Sequence, residues 1–332
     1  MNDNIVEIKN ITIDYPLKKY TIRAVTDLSL NIKRGKITAL VGESGSGKTT
    51  LATAILRQIS EPGIVSSGNI NFYSKDDSVI DIGTLPYKES KKFKWTKVSM
   101  VFQAAQSALN PVMNIKDHFY EVFDEHDIKL SKEEKDKKCR ELLQYVSLNP
   151  DTVLNSYPHE LSGGMKQRVM IAFSLLLDPE LVILDEPTTA LDVITQNYIF
   201  ELLKKINVEK GISMLLLTHD ISVVMRFADY IGVMYAGRLM EYGTVLQVFD
   251  HRYHPYTQGL IDATPSIIGK ISDMKPIEGT PPDLLNLPEG CKFAPRCPFA
   301  KDICFKQEPD THIFEDGEIT KCHLIKEDEQ NE

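Results

Sequence analysis

Gly42-Glu43-Ser44-Gly45-Ser46-Gly47-Lys48-Thr49 stands between two segments of different character. Ahead of it, Ile37-Thr38-Ala39-Leu40-Val41 is a short apolar run that reads as a buried strand; behind it, Thr50-Leu51-Ala52-Thr53-Ala54-Ile55-Leu56 reads as a helix. A strand, a glycine-rich turn and a Lys-Thr pair opening a helix form the context that a phosphate-binding loop requires. Glycines let the backbone curl so that successive N–H groups converge on phosphate oxygens. The helix N-terminus adds partial positive charge, Lys48 supplies a full one to β- and γ-phosphates, and the Thr49 hydroxyl suits Mg²⁺. A glycine-rich turn that binds nothing is the bland alternative. It does not account for the full G-x4-G-K-T spacing between a strand and a helix.

The 332 residues suffice for one large domain with an appendage, or for two domains. A hydrophobic content of 42% and a charged content of 26% are ordinary for a soluble globular protein. No apolar run approaches the roughly 20 residues that span a bilayer, and Met1-Asn2-Asp3-Asn4 is polar where a leader would be basic and then apolar. A cytoplasmic protein is expected, with any membrane role running through partner subunits. The net charge of −9 argues against a broad nucleic-acid surface.

Residues 5–41 alternate short β-like runs with turns, the pattern of an antiparallel sheet leading into the loop strand. Val98–Phe102 is a second buried-strand candidate, and from about 113 to 160 the pattern turns helical. There Ser131-Lys132-Glu133-Glu134 has the form of a capping box, followed by Cys139, Leu142, Leu143 and Val146 on one face, so Cys139 reads as core. Leu181–Leu184 and Met214–Leu217 are continuous apolar strands flanking a helix near 193–207, as in a parallel sheet covered on both faces. Ile231–Met234 and Arg238–Tyr242 read as a hairpin around Ala236-Gly237. Prolines 255, 265, 276, 281, 282 and 288 make residues 250–290 read as an extended linker, and Lys326–Glu332 as a frayed tail.

Leu181-Val182-Ile183-Leu184-Asp185-Glu186 is an apolar strand ending in two carboxylates. Adjacent strand residues point in opposite directions, so one carboxylate can reach a Mg²⁺ shell while the other faces an attacking water. Desolvation at a hydrophobic strand end should raise the basicity of that second group, as suits a general base. Leu161-Ser162-Gly163-Gly164-Met165-Lys166-Gln167-Arg168 opens another helix: Ser162 is an N-cap candidate, and the two glycines leave N–H groups bare for an anion. Taken alone, Ser-Gly-Gly would default to a flexible turn.

The ordered set resembles the ATP-binding subunits of ABC transporters: loop 42–49, Gln103 after a strand, Leu161-Ser162-Gly163-Gly164, Asp185-Glu186, Ala190-Leu191-Asp192 and Thr218-His219-Asp220. The resemblance covers about residues 5–245. It implies an α/β fold, a P-loop NTPase core of ABC type with an antiparallel β-subdomain, a helical insertion at about 104–160 and a small cysteine-rich extension. It also implies ATP binding by Gly42, Glu43, Ser44, Gly45, Ser46, Gly47, Lys48, Thr49 and Thr50; Mg²⁺ at Thr49, Gln103 and Asp185; and catalysis by Glu186, His219 and Lys48. Ser162, Gly163 and Gly164 would complete the site of a second subunit in trans, so the working unit is a head-to-tail dimer. Met165 replaces the family's commonest Gln, and Leu-Ser-Gly-Gly-Met is a form often shown by peptide transporters. His219 sits just past an apolar strand, at the carboxyl edge where such sheets bind ligands, although a lone His there would ordinarily be a surface residue. Tyr15 matches the aromatic that stacks on adenine, with Tyr20 as the other candidate and an ordinary strand aromatic as the plain reading.

Four of the five cysteines crowd into 291–322 as Cys291, Cys297, Cys304 and Cys322, spaced C-x5-C-x6-C-x17-C. In a reducing cytosol such a cluster points to a metal more than to disulfides. It lacks the tight C-x2-C pairs of most zinc sites, and four thiolates suit either Zn²⁺ or an iron–sulfur cluster. His312 and His323 are alternative ligands if the metal is zinc. The segment, with His254-Pro255-Tyr256-Thr257 upstream, resembles the C-terminal extension of oligopeptide/dipeptide-type ABC ATPases, some of which hold a [4Fe–4S] cluster there. Lying beyond the linker, far in sequence from every ATP motif, it is expected to have a structural or docking role.

The expected organisation is an ABC ATP-binding domain over 1–250 and an extension over 251–332. The expected function is to energise an importer of peptides, or of similar small solutes such as oligosaccharides, at the cytoplasmic face of the membrane. The implied partners are a second ATPase subunit, often a paralogue, two permease subunits contacted near Gln103–Met113, and indirectly a substrate-binding protein. The competing class is a soluble ABC ATPase of DNA repair or translation. Such proteins usually carry two cassettes or a long coiled-coil insertion, and this chain has one cassette and no heptad run.

Overall fold

The computed structural model describes residues 2–103, 108–189, 191–264 and 276–325. Ala190, part of segment 104–113, the middle of segment 250–290 and the tail from Lys326 therefore lie outside the described residues.

Two sheets organise the chain. The smaller is antiparallel, in the order β2-β1-β4-β5, from β1 (Asn4–Pro16), β2 (Thr21–Lys33), β4 (Ile64–Tyr73) and β5 (Val79–Asp81). The larger has eight strands in the order β11-β12-β10-β9-β3-β8-β7-β6. Its parallel part is β9 (Tyr230–Tyr235), β3 (Ile37–Val41), β8 (Ser213–Thr218), β7 (Leu181–Asp185) and β6 (Val98–Val101). Beyond β9 the direction reverses through β10 (Arg238–Thr244), β12 (Ile319–Thr320) and β11 (His312–Ile313).

The apolar runs are explained by burial on both faces. Ile37, Ala39 and Val41 of β3 belong to one core and Leu40 to the other; Val182 and Leu184 of β7 face one side, Leu181 and Ile183 the opposite. The first core lies under the helices α3 (Ile115–Glu125), α4 (Lys132–Tyr145), α6 (Gly163–Ser174), α7 (Val193–Lys210), α8 (Ile221–Phe227) and α9 (Val245–His251). The second encloses α1 (Lys48–Ile55) between the two sheets. A helix α2 (Tyr87–Thr96) precedes β6, and α5 (Pro150–Val153) closes the helical insertion. Ser131 and Glu134 form the expected capping box of α4, and Cys139 is buried in the core. The β9–β10 turn has Ala236 at φ 47° and Gly237 at φ 78°, the left-handed pair of a type I′ hairpin.

The linker expectation is corrected. Pro255 is the first residue of helix α10 (Pro255–Asp262), capped by the His254 side chain, which accepts the Tyr256 N–H. Proline suits that first position because no intrahelical partner is lost there. His254, Tyr256 and Thr257 are buried, and Ile277 packs against Gly259. Helix α11 (Asp302–Lys306) and β12 follow, and β12 extends the main sheet through Glu241–Thr320 and Tyr242–Ile319 pairing. The cysteine-bearing segment is thus built onto the larger sheet.

Candidate functional site

The loop 42–49 leaves β3 at the centre of the larger sheet and enters α1 at Lys48. Gly47, the N-cap, has φ 97°, and a Cβ there would lie 2.5 Å from the Ala24 carbonyl oxygen; at Gly42 one would lie 2.1 Å from that of Met234. Both positions require glycine. The loop is thereby pressed against β2 on one side and the end of β9 on the other. Within it the Lys48 ammonium donates to the carbonyls of Gly42 and Glu43 at 2.7 and 3.0 Å and to Ser46 Oγ at 3.1 Å. Burial lowers the Lys48 pKa, while the carboxylates of Glu186, Asp185 and Glu43 oppose that shift.

Register places the acidic pair. Asp185 pairs with Leu217 across β7 and β8, and the Glu186 N–H donates to the Leu217 carbonyl at 2.9 Å. Asp185 is buried and accepts from the Thr49 hydroxyl at 2.9 Å. Burial raises its pKa, with Thr49 acting in the opposite sense. Two hard oxygen donors meeting beside a phosphate loop fit a Mg²⁺ shell.

Glu186 sits at φ 45°, a left-handed conformation unusual for a side chain of this kind. It turns away from the strand and collects three partners: Gln103 Nε2 at 2.9 Å and Thr189 Oγ1 at 3.0 Å on one oxygen, His219 Nδ1 at 3.0 Å on the other. The expected rise in basicity is overturned. Burial does push the Glu186 carboxyl up, but hydrogen bonds from His219 and Thr189 and the attraction of His219 and Lys48 leave it below the usual carboxylate range.

Ser162 caps α6, accepting the Met165 N–H at 3.3 Å, and is exposed; Gly164 packs against Thr195 of α7. Among the described residues this segment makes no hydrogen bond with loop 42–49. One chain therefore brings together the loop, Gln103, Asp185, Glu186 and His219, and leaves Ser162 exposed at the start of α6, with Gly163 and Gly164 half-buried behind it. Tyr15 lies on β1 opposite Ile22 of β2, two positions from the Ala24 that backs Gly47, with its ring edge beside Gly63. Tyr20 is exposed in the hairpin turn.

Cys291, Cys297, Cys304 and Cys322 line one enclosed cavity with His254, Phe293, Phe299 and His323. Burial pushes the thiols of Cys291 and Cys322 up to about 11 and 12 and raises that of Cys297. Opposing this, backbone N–H groups of Phe293 and Ala294 point at the Cys291 sulfur, Phe299 at Cys297 and Leu324 at Cys322, the arrangement that favours thiolates. His254 Nε2 is buried without a hydrogen-bond partner. The set suits an anionic, acceptor-rich group. The sulfurs are not gathered as a single ion would gather them: among the described residues, the triad with ligand atoms within 4.8 Å of one another is His251, Asp316 and Glu318. Tetrahedral zinc with bonds of about 2.3 Å would hold sulfurs at about 3.8 Å. His323 lines the cavity; His312 is on β11 against Phe314.

Sequence reasoning missed Thr189, Tyr256 and Arg296. Thr189 lies three residues after Glu186, a spacing at which a hydroxyl folds back, and was legible on that ground. Tyr256 and Arg296 reach the loop at Glu43 from 213 and 253 positions away, with no local signal.

A family model described as "ABC transporter" matches residues 25–189, and one described as "Oligopeptide/dipeptide transporter, C-terminal region" matches 240–304. The dipeptide transport ATP-binding protein DppD of Caldanaerobacter subterraneus subsp. tengcongensis is 43% identical over 324 residues, covering 97% of this chain and 98% of the relative. The oligopeptide transport ATP-binding protein AppD of Bacillus subtilis is 39% identical over 326 residues, covering 98% of each. Among solved structures, the ABC cassette MJ0796, in a dimeric post-hydrolysis state bound to ADP and Pi, aligns with a TM-score of 0.63 and 32% identity over 72% of this chain and 98% of that one.

Proposed function

Because this chain belongs to the ATP-binding subunits of ABC transporters, in the group bearing an oligopeptide/dipeptide C-terminal region, we propose that it hydrolyses ATP to energise import of peptides or similar small solutes. The convergence of Gln103, Thr189 and His219 on Glu186, beside a loop holding Lys48, carries this reading.

ATP would lay its phosphates in the loop, with Lys48 transferring its hydrogen bonds from the loop carbonyls to β- and γ-oxygens. Thr49 and Asp185, with Gln103, would hold Mg²⁺, which when bound neutralises charge on the phosphates. Glu186 would orient the attacking water and accept its proton; His219 holds the Glu186 side chain and would contact the γ-phosphate. Because Ser162 is exposed and its segment makes no hydrogen bond with loop 42–49 among the described residues, a second subunit would supply the equivalents of Ser162, Gly163 and Gly164, and water would be excluded as the two chains close. Tyr15 is proposed as the adenine contact. A soluble role in DNA repair or translation is set aside in favour of the peptide-transport relatives.

Peptide-transport relatives support permease partners, and we propose a paired ATPase subunit, two permease subunits and, indirectly, a substrate-binding protein. Among the described residues no helix is long and apolar enough to cross a membrane, and we place the chain at the cytoplasmic face through its permease. We divide it into an ATP-binding part, 1–250, and an extension, 251–332. The four thiols are proposed to hold a [4Fe–4S] cluster, which would supply a structural staple there, with zinc as the competing occupant.

The test is reconstitution with the permease, paired ATPase and binding protein in proteoliposomes. Peptide uptake should require ATP and be lost with Lys48→Ala, which deletes a charge from the phosphate cradle. Uptake unaffected by Lys48→Ala would refute the reading.

A further inference from the structure

An acid inside a loop built to hold a triphosphate is an electrostatic anomaly. Glu43 is that acid, and it is gripped by residues of the C-terminal part of the chain. Its backbone N–H donates to Tyr256 Oη at 3.0 Å. Its carboxylate takes both ends of the Arg296 guanidinium, Nη1 to Oε2 at 2.8 Å and Nη2 to Oε1 at 3.0 Å. Arg296 is itself fixed: Nε donates to the Glu278 carbonyl at 2.9 Å, Nη1 reaches Tyr235 Oη at 3.3 Å, and its carbon lies 5.8 and 5.9 Å from the ring centres of Tyr235 and Phe293. Its side chain is 8% exposed. The residue ends the short turn Ala294–Arg296, between Cys291 and Cys297.

We propose that Arg296 is a positioning residue for nucleotide binding, cancelling the Glu43 charge within the phosphate loop and fixing that loop's curl from the cysteine-bearing extension. The inference rests on ATP being the ligand of loop 42–49. Two physical effects act together. A bidentate arginine–carboxylate pair fixes both position and plane of the carboxylate, which an ammonium cannot do. With the guanidinium removed, the Glu43 charge stands unpaired beside a highly anionic ligand and repels it. The carbonyl of the same Glu43 receives the Lys48 ammonium at 3.0 Å, so Glu43 also sets where the lysine stands before the nucleotide enters.

The experiment measures ATP affinity of the full chain with a fluorescent ATP analogue and unlabelled competitor, and KM and kcat in the assembled transporter. Arg296→Met should weaken ATP binding about tenfold, within the range usual for coupling between sites, and raise KM while leaving kcat within about twofold. Bound iron or zinc per chain, measured alongside, should equal wild type, showing that the thiol site is intact. Arg296→Lys should show a smaller loss, and Glu43→Gln combined with Arg296→Met should recover most of the affinity, because the unpaired charge is gone. Unchanged affinity in Arg296→Met, or no recovery in the double variant, would overturn the proposal. Should Arg296→Met fail to fold, Arg296→Lys decides: weakened ATP binding supports the pair, and unchanged binding contradicts it. Wild-type protein that does not bind ATP at all would instead defeat the underlying functional reading.

Discussion

Glu186 Oε1 and His219 Nδ1 lie 3.0 Å apart although 33 positions separate the residues. The sheet makes the contact: β7 and β8 are parallel neighbours in register at Asp185 and Leu217, so the chain leaves both strands at the same edge of the sheet. Glu186 then turns back through a left-handed φ of 45° to meet the histidine. Strain at one residue and register between two strands together place the Glu186 carboxylate beside the loop that holds Lys48.

Completion of the site by a second subunit is tested at the signature. Ser162 is exposed at the start of α6, so Ser162→Arg should leave the subunit folded and able to bind ATP. Hydrolysis in the assembled transporter should fall at least about a hundredfold, the scale of losing transition-state donors. An isolated mutant that hydrolyses ATP like wild type at low concentration would show that one chain suffices.

For the thiols, anaerobically purified protein should be brown, absorb broadly near 400 nm and carry about four irons per chain. Replacing Cys291, Cys297, Cys304 or Cys322 by Ser should bleach it. Colourless anaerobic protein with one tightly held zinc would decide for the other metal.

Adenine recognition separates two tyrosines. Tyr15→Ala should weaken ATP binding by about 1–3 kcal/mol, the worth of a stacked base, and Tyr20→Ala by much less. The reverse order in a nucleotide titration would move the contact to the hairpin turn.

Stability should depend on pH through Glu241. Buried on β10 and facing Glu318, its carboxyl is pushed up to about 7, by burial first and by the Glu318 charge; hydrogen bonds from the Tyr253 and His254 N–H groups act against the shift. The folded state thus holds a proton that the unfolded chain releases near the ordinary value of 4.5. Stability from this group is full below that value, declines as pH rises and is lost above about 7. Melting temperature should fall between pH 5 and 8 in wild type and fall less in Glu241→Gln. Equal slopes would refute the assignment.

The fold's centre was legible because its signals are local. Residues 37–49 and 181–186 carry strand, turn and charge in consecutive positions, and burial on both faces explains their unbroken apolar character. The C-terminal extension was not. Strand β12 is two residues long, too short for any alternation, and is defined by its pairing with β10 on one side and β11 on the other. Pro255 reads like a linker proline although it opens a helix, since position within a helix is invisible in a tally of breakers. The shift at Glu186 runs opposite to the expectation for the same reason: desolvation belongs to its own strand, but the groups that outweigh it arrive from residues 189 and 219.

The central claim is that Glu186 is the base of an ATPase, and Glu186→Gln tests it most directly. The substitution keeps shape and most hydrogen bonding but removes basicity. In the purified, assembled transporter the account predicts retained ATP binding, an accumulated ATP-bound dimer and hydrolysis lowered on the order of 10²–10⁴-fold. Near-normal turnover in that variant would contradict it.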